Sequence, residues 1–122
     1  MEPKVVSCDY DFDAGLASTE QLLQTWPEVD GILACNDIVA ISIYKILHRK
    51  NIDVPGQIQL MGFDDVTFSG LMSPGLSTIR QPIAQLGCRA AQLLLSGKNE
   101  VKEGKREVLP VTLVSRETTR SN

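Results

Sequence analysis

Two kinds of apolar segment alternate along this 122-residue chain. Short runs rich in Val, Ile and Leu end in polar residues, as buried strands do, and longer segments carry apolar residues at helical spacing. Turn-forming residues such as Pro27 and Pro74-Gly75 separate these segments. We therefore predict strands over residues 4–8, 31–35, 58–63, 76–80 and 108–114, and helices over residues 14–24, 37–50, 66–72 and 82–95.

The order of these elements predicts the fold class. Strands alternate with helices throughout, a pattern typical of an α/β domain whose sheet is mainly parallel and carries helices on both faces. The strand over 31–35 is apolar along its whole length, as expected for a strand that is covered on both faces. We expect the charged segment 99–107 to form a loop and residues 116–122 to form a frayed tail.

The helix predicted over 37–50 has two apolar faces. Four apolar residues share one face at about 100° per residue: Val39, Ile43, Ile46 and Leu47. Ile38 and Ile41 point away from that face. The sheet would cover the first face, and either a second subunit or a neighbouring helix would cover the second.

Charge and cysteine usage exclude several classes of protein. A net charge of −3 lacks the basic character of a nucleic-acid-binding module. The sequence contains neither an apolar run of about 18 residues nor a secretion signal, so we expect no membrane span. Three cysteines without a C-x-x-C pair indicate a reducing cytoplasm rather than a disulfide framework. Cys8 and Cys35 fall on predicted buried strands, where a thiol acts as a small apolar group.

Polar side chains follow three of the predicted strands. Asn36, Asp64 and Gln81 each come directly after a predicted strand. Because the carboxyl ends of parallel strands meet at one edge of a sheet, these side chains would surround a single small ligand. Amide and carboxylate groups suit a molecule with neighbouring hydroxyl groups. The sequence therefore predicts a binding site for a polyhydroxylated ligand.

Two of these residues also have a structural interpretation. Asn36 is also suited to cap the helix that begins at residue 37 or 38, and the sequence alone favours that role. Asp64 is also able to cap the short helix at Val66, although Asp65 fits that role better.

An enzymatic interpretation is weaker. Asp64-Asp65 resembles the carboxylate pairs that bind Mg²⁺ in phosphotransferases, but no suitably placed Lys accompanies it. The sequence contains no G-x-S-x-G, no Walker A segment and no His or Cys cluster with metal-ligand spacing. We expect no catalytic activity, no cofactor and no metal.

Six short elements occur in a fixed order along the chain: Asn36-Asp37, Val54-Pro55, Gly62 to Asp65, Pro74 to Pro82, Leu86-Gly87 and Leu109 to Thr118. This ordered series resembles the C-terminal part of the LacI/GalR family of sugar-responsive transcriptional repressors, and its ribose-responsive members most. The resemblance covers essentially the whole chain.

The resemblance implies a truncated periplasmic-binding-protein-like fold of type I. Residues 1–80 would be the C-terminal lobe of the effector-binding core, and residues 81–122 would be the crossover and a segment that packs on the other lobe. The N-terminal helix-turn-helix and most of the first lobe would precede residue 1. The partners implied are a small sugar, ribose or a relative of it, and operator DNA only through that absent N-terminal domain.

The resemblance also implies roles for individual residues. Asp64 would accept hydrogen bonds from two sugar hydroxyls, and Asn36 and Gln81 would contact the same sugar, with Asp37 then capping the helix. Tyr10 would stack on the sugar ring or else fill the core, although Cys8 stands where the family has Gly.

Members of the family form dimers through the helix that corresponds to residues 37–50 here and through the loop that follows the third strand. The resemblance therefore implies a homodimer whose interface contains Ile38, Ile41, Phe68, Leu71 and Met72. Two alternatives stay open. The chain would be a stand-alone sugar-binding protein, or a family member that responds to a nucleobase or to a phosphoprotein.

Overall fold

The computed structural model describes residues 4–96 and 106–120. Helices and strands alternate in these residues in the following order: α1 (Phe12–Thr25), β1 (Gly31–Leu33), α2 (Asp37–Arg49), β2 (Gln59–Met61), α3 (Thr67–Leu71), β3 (Thr78–Arg80), α4 (Ile83–Ser96) and β4 (Thr112–Val114). The strand predicted over residues 4–8 is wrong, because these residues form no regular element. The loop predicted over 99–107 lies outside the described residues except for Arg106 and Glu107.

The strands form a mainly parallel arrangement, as predicted. β1 and β2 pair in parallel. Two single parallel bridges, Met61 to Ser77 and Asp64 to Arg80, bring β3 beside β2. β4 is the exception and runs antiparallel to β3. Since β1, β2 and β3 run in one direction, their carboxyl ends lie at the same edge.

The predicted inner face of α2 packs into the core. Val39, Ile43, Ile46 and Leu47 are all buried, which confirms this prediction. Residues from the strands and their flanks surround that face: Ile32, Ala34, Ile58, Leu60 and Leu76. α1 packs against α2 where Gly15 meets Ser42, because any Cβ at residue 15 would overlap the Ser42 side chain. Full burial of one such aliphatic side chain contributes about 1.5–3 kcal/mol.

The first residue of α2, Asp37, is a fully buried acidic side chain. Its Oδ1 accepts a hydrogen bond from Thr78 Oγ1 of β3 at 2.5 Å. Its Oδ2 accepts from the Val66 backbone N at 2.9 Å and from Ser69 Oγ of α3 at 2.6 Å. Gly62 leaves room for this group, because a Cβ there would overlap the Asp37 carboxyl. One side chain therefore connects α2, the turn after β2, and β3.

The residues after β4 are ordered against the sheet, so the prediction of a frayed tail is wrong for residues 116–120. Thr118 is fully buried. Its hydroxyl donates to the Leu60 carbonyl and accepts from the Ser77 backbone N, both at 2.8 Å. Its carbonyl accepts from the Leu60 backbone N at 2.9 Å. This contact was missed because its partners lie 41 and 58 residues away along the chain.

A second contact of this tail is an ion pair. Arg116 Nη2 donates to Asp65 Oδ1 at 2.7 Å, and Arg80 Nε donates to Asp65 Oδ2 at 2.6 Å. Burial acts to raise the pKa of Asp65, but the hydrogen bonds and charges of Arg116 and Arg80 outweigh burial. The pKa of Asp65 therefore lies below its ordinary value of 3.8.

The predicted division of the chain into two parts after residue 80 stays a prediction. β4 pairs with β3, and residues 116–120 form hydrogen bonds with residues 59–77. The strand β4 and the residues after it therefore pack on the part of the chain that precedes residue 81.

α4 is different from the other long helices. Within residues 83–95 only Leu93 is half-buried, and the rest are exposed. Its exposed apolar residues are Ile83, Leu86, Leu94 and Leu95. In the described part of the chain, no helix combines the length and the apolar character needed to cross a bilayer.

We expect Asp37→Ala to destabilise the chain by about 3 kcal/mol or more, because it leaves two hydroxyl donors and one backbone N–H buried without an acceptor. Urea unfolding measures this loss. Asp30→Ala, at an exposed carboxylate, is the matched control and should change the free energy of unfolding by less than about 0.5 kcal/mol. Equal effects of the two substitutions would contradict the role given to Asp37.

The lowered pKa of Asp65 predicts a dependence of stability on pH. A carboxyl whose pKa is lower in the folded state stabilises the fold above its unfolded pKa, and this stabilisation is lost as the pH falls through the folded pKa. The stability of the wild-type chain relative to Asp65→Asn should therefore be constant above about pH 5 and fall below about pH 4. Urea unfolding of both proteins across this range tests it, and a pH-independent difference would refute it.

Candidate functional site

The predicted site residues lie at the edge formed by the carboxyl ends of β1, β2 and β3. Asn36 follows β1, Asp64 follows β2, and Gln81 follows β3 directly. The parallel bridge between Asp64 and Arg80 fixes the second and third of these segments side by side. The sheet therefore brings the predicted segments to one edge.

Asp64 and Gln81 form a direct pair. Gln81 Nε2 donates to Asp64 Oδ1 at 2.6 Å, and both residues are half-buried. The Asp64 backbone N donates to the Ile79 carbonyl at 2.9 Å, which ties the turn to β3. Asp64 Oδ2 has no protein donor among the residues that the structure describes. A carboxylate with one oxygen open is able to accept hydroxyl donors from a ligand.

The turn that carries Asp64 has an uncommon backbone. φ is 121° at Asp64 and 59° at Asp65, a region that residues other than Gly rarely occupy. Each such residue costs about 1–3 kcal/mol and persists only where its surroundings hold it. Strain of this kind concentrates at binding sites, so it adds weight to Asp64 as a functional residue.

Asn36 and Tyr10 form the second pair, and here the backbone of Tyr10 makes the contact. Asn36 Nδ2 donates to the Tyr10 carbonyl at 3.2 Å. Asn36 Oδ1 accepts from the Val39 backbone N at 2.8 Å, so Asn36 is the N-cap of α2. The Tyr10 side chain is 75% exposed and does not fill the core. Among the described residues, no hydrogen bond joins this pair to Asp64 or Gln81.

Two expected caps are wrong, namely Asp37 for α2, which the resemblance implied, and Asp65 for α3. The sequence alone favoured Asn36 as the cap of α2, and this is confirmed. Asn36, not Asp37, caps α2, because the Asp37 carboxyl is directed inward to Thr78, Ser69 and Val66. Asp65 does not cap α3, whose N-cap is Val66 without a side-chain bond. Asp65 is held instead by two arginines, and sequence reasoning gave neither arginine a role in the site. A signal was present, because two adjacent acidic residues require nearby positive charge.

The cysteines also differ from expectation. Cys8 lies outside any strand and is half-buried, and Cys35 is exposed just beyond the end of β1. Both are free thiols. They line a cleft of about 890 Å³ between residues 4–8, α1 and β1, whose walls are largely apolar. None of the four predicted ligand-binding residues lines this cleft.

The side chains at the edge are polar hydrogen-bonding groups. The described residues contain no group of His, Cys, Asp and Glu side chains arranged to hold a metal ion. The side chains that face the edge are a carboxylate and two amides, and they offer acceptors and donors to a polar ligand.

Comparison with known proteins places the chain in a family. The family described as a periplasmic binding protein-like domain matches residues 2–119. The ribose operon repressor of Halalkalibacterium halodurans is 36% identical over 117 residues, which are 95% of this chain and 35% of that protein. The ribose operon repressor of Bacillus subtilis is 41% identical over 103 residues, 83% of this chain and 31% of that protein. The chain thus spans about a third of the length of the curated relatives it matches.

Solved structures agree with these relatives. The CelR–cellobiose complex superposes with a TM-score of 0.88 at 29% identity, covering 97% of this chain and 37% of that one. A LacI family regulator from Enterococcus faecalis V583 with bound ribose superposes with a TM-score of 0.83 at 32% identity, covering 95% of this chain and 43% of that one. With a family match over nearly all of its residues and this agreement in structure, the chain belongs to the periplasmic binding protein-like domains of the LacI/GalR family.

Proposed function

We propose that the chain senses a small sugar, ribose or a close relative of it, as the effector-binding part of a LacI-type repressor of a sugar operon. The observation that carries this proposal is the Asp64–Gln81 pair at the strand edge, with Asp64 Oδ2 open and the backbone around Asp64 held in an uncommon conformation. Asn36 would contribute from the neighbouring strand end, and Tyr10 would offer its exposed ring to one face of the sugar.

The chemistry of this pair suits two adjacent hydroxyl groups. An ionised carboxylate accepts from both hydroxyls of a vicinal diol, and each charge-assisted bond contributes about 1.5–3 kcal/mol. Gln81 Nε2 already donates to Oδ1, which leaves Gln81 Oε1 as an acceptor for a third hydroxyl. A ligand without neighbouring hydroxyls would leave these groups unsatisfied, so the pair is selective for sugars.

Relatives support ribose and a role in repression. The curated relatives include ribose operon repressors from several bacteria, and two structural relatives carry bound ribose. The net charge of −3 does not suit contact with DNA. We therefore assign operator binding to the rest of the repressor, place the repressor in the cytoplasm, and assign this chain to effector sensing.

A second lobe would complete the site. We propose that the exposed apolar residues of α4, which follow Gln81 directly, pack on that lobe when ligand closes the two together. Closure would bury the sugar and couple its binding to the DNA-binding domains. One lobe alone lacks half of the contacts and does not exclude water, so the chain by itself should bind a free sugar weakly.

Other effectors are distinguishable from ribose. The CelR relative is solved with cellobiose, which makes a disaccharide the best-supported competitor. A stand-alone sugar-binding protein would share the same site, but the curated relatives named above are repressors. Nothing in the site favours a nucleobase or a phosphoprotein over a sugar.

The first prediction for this site concerns ribose. Isothermal calorimetry, or NMR titration of the ¹⁵N-labelled chain, should give a dissociation constant of about 1 mM or weaker for ribose, and Asp64→Ala should weaken binding by about tenfold or more. Asp30→Ala, an exposed carboxylate outside the site, should leave binding unchanged. Micromolar binding that is indifferent to Asp64→Ala would refute both the site and the need for a second lobe. Preferential binding of cellobiose would transfer the proposal to disaccharides.

We also propose that the chain forms a homodimer through α2 and α3. Ile38, Phe68 and Leu71 are 39%, 67% and 74% exposed, which leaves an apolar surface beside the site edge. Ile41 and Met72 are half-buried, and Met72 also packs against the core. α1 covers a different part of α2, at Gly15 and Ser42. A two-fold interface between two copies is the commonest way to cover such a surface.

Sedimentation of the wild-type chain and of Phe68→Asp tests this interface. Phe68 is exposed, so the substitution should leave the fold intact and shift the equilibrium towards monomer by about tenfold or more, because it buries an unpaired charge. Ile41→Asp should act in the same direction. Leu94→Asp on α4 is the control. A dimer that only Leu94→Asp disrupts would place the contact on α4, and a wild-type chain that is monomeric at high concentration would refute the dimer.

A further inference from the structure

Two contacts in successive residues join the turn after β2 to the end of β3. Asp64 accepts from Gln81, and Asp65 accepts from Arg80. The first contact contains the proposed ligand-binding carboxylate. The second is an ion pair between the residue that follows Asp64 and the residue that precedes Gln81. The position of Asp65 therefore sets where the neighbouring Asp64 carboxylate lies.

Arg116 fixes Asp65 from a different part of the chain. Its Nη2 donates to Asp65 Oδ1 at 2.7 Å, and its Nη1 donates to the Leu76 carbonyl at 2.7 Å. Its backbone N donates to Ser77 Oγ at 2.8 Å. The Arg116 side chain is 21% exposed and the Asp65 side chain 8%, whereas Arg80 is 57% exposed. Arg116 is thus the better anchored and less solvated of the two partners, and so the stronger one.

The backbone of the turn explains why such an anchor is needed. Asp64 and Asp65 both have positive φ, and α3 begins without a side-chain cap that would hold Asp65 in place. A turn of this kind relaxes to ordinary φ values unless contacts beyond it prevent the change. The planar guanidinium of Arg116 prevents it by binding Asp65 and the Leu76 carbonyl at once, which a Lys side chain is unable to reproduce in full.

We infer that Arg116 is a positioning residue for effector binding: by holding Asp65, it fixes the turn in which the Asp64 carboxylate faces the ligand. This inference rests on the proposed function, because it takes the Asp64–Gln81 pair as the sugar-binding group. The inference gives a role in effector binding to Arg116, which would not contact the ligand itself. Arg116 lies 51 residues from Asp65 along the chain.

A purely structural role for Arg116 predicts something different. If Arg116 served only to attach residues 116–120 to the sheet, its loss would lower the free energy of unfolding and leave the turn unchanged in the molecules that stay folded. If it positions Asp64, its loss changes the turn in the folded state. The two roles are separated by a readout that is local to Asp64 and does not depend on stability.

The experiment compares Arg116→Gln with Arg49→Gln in the ligand-free chain. Arg49 Nη2 pairs with Glu20 Oε1 at 3.0 Å at the far end of α2, so it is a matched arginine outside the site. NMR measures the three-bond coupling between the amide and α protons of Asp64 and Asp65, which reports φ, and the shifts of the Gln81 side-chain amide. We expect these signals to change in Arg116→Gln and to stay as in the wild type in Arg49→Gln.

Ribose titration provides the second readout. Arg116→Gln should weaken ribose binding by about tenfold, Arg116→Lys should restore part of this loss, and Arg49→Gln should bind as the wild type does. Asp65→Asn should reproduce the loss, and the double variant Asp65→Asn, Arg116→Gln should bind no more weakly than either single variant, because both act through one contact.

Unchanged Asp64 couplings and Gln81 amide shifts in folded Arg116→Gln would overturn the inference. Losses of ribose affinity that are additive in the double variant would overturn it as well. If Arg116→Gln does not fold, Arg116→Lys and Asp65→Asn decide by the same signals. Failure of the wild-type chain to bind ribose or any other sugar, even at sugar concentrations far above about 1 mM, would refute the proposed function. In that case the couplings of the ligand-free variants still decide whether Arg116 holds the turn.

Discussion

One buried carboxyl group, that of Asp37, connects the three segments that carry the proposed site. Asp37 follows Asn36 directly, and its oxygens accept from Val66, two residues after Asp64, and from Thr78, three residues before Gln81. Each strand end is thereby fixed relative to the others by hydrogen bonds inside the core. Because an unsatisfied buried donor costs about 1–3 kcal/mol, these segments separate only at high cost.

The edge of the sheet is held from two sides. Asp37 acts from beneath the edge, within the core, while Arg116 and Thr118 act from residues that return to the sheet after β4. Between them lies the strained turn at Asp64, which faces outward. A rigid support under a strained, partly open carboxylate is the arrangement that a site needs when it binds a small ligand without rearranging. The same rigidity would let ligand binding on one lobe be transmitted as a movement of whole lobes.

Periodicity in the sequence predicted the helices, four of the five strands and the buried face of α2, because these follow from local apolar spacing. It placed Asn36, Asp64 and Gln81 at one edge, because strand ends in a parallel sheet converge. It failed at residues 4–8 and at the tail around Thr118. For the cap of α2 the sequence alone favoured Asn36, which is confirmed, whereas the resemblance implied Asp37. The position of the tail and the inward direction of the Asp37 carboxyl depend on hydrogen bonds between residues far apart in sequence, such as Asp37 with Thr78 and Asp65 with Arg116. Local patterns do not identify the distant partner in such pairs.

Native-state hydrogen exchange tests the central claim that Asp37 makes the site edge a single unit. The amide of Asp37 donates to the Phe63 carbonyl, that of Asp64 to the Ile79 carbonyl, and that of Val66 to Asp37 Oδ2. If the edge opens as one unit, these three amides exchange with the same free energy of opening, close to that of the core strands. The account would be contradicted if the Asp64 and Val66 amides exchanged with a much lower free energy of opening while the Asp37 amide stayed protected.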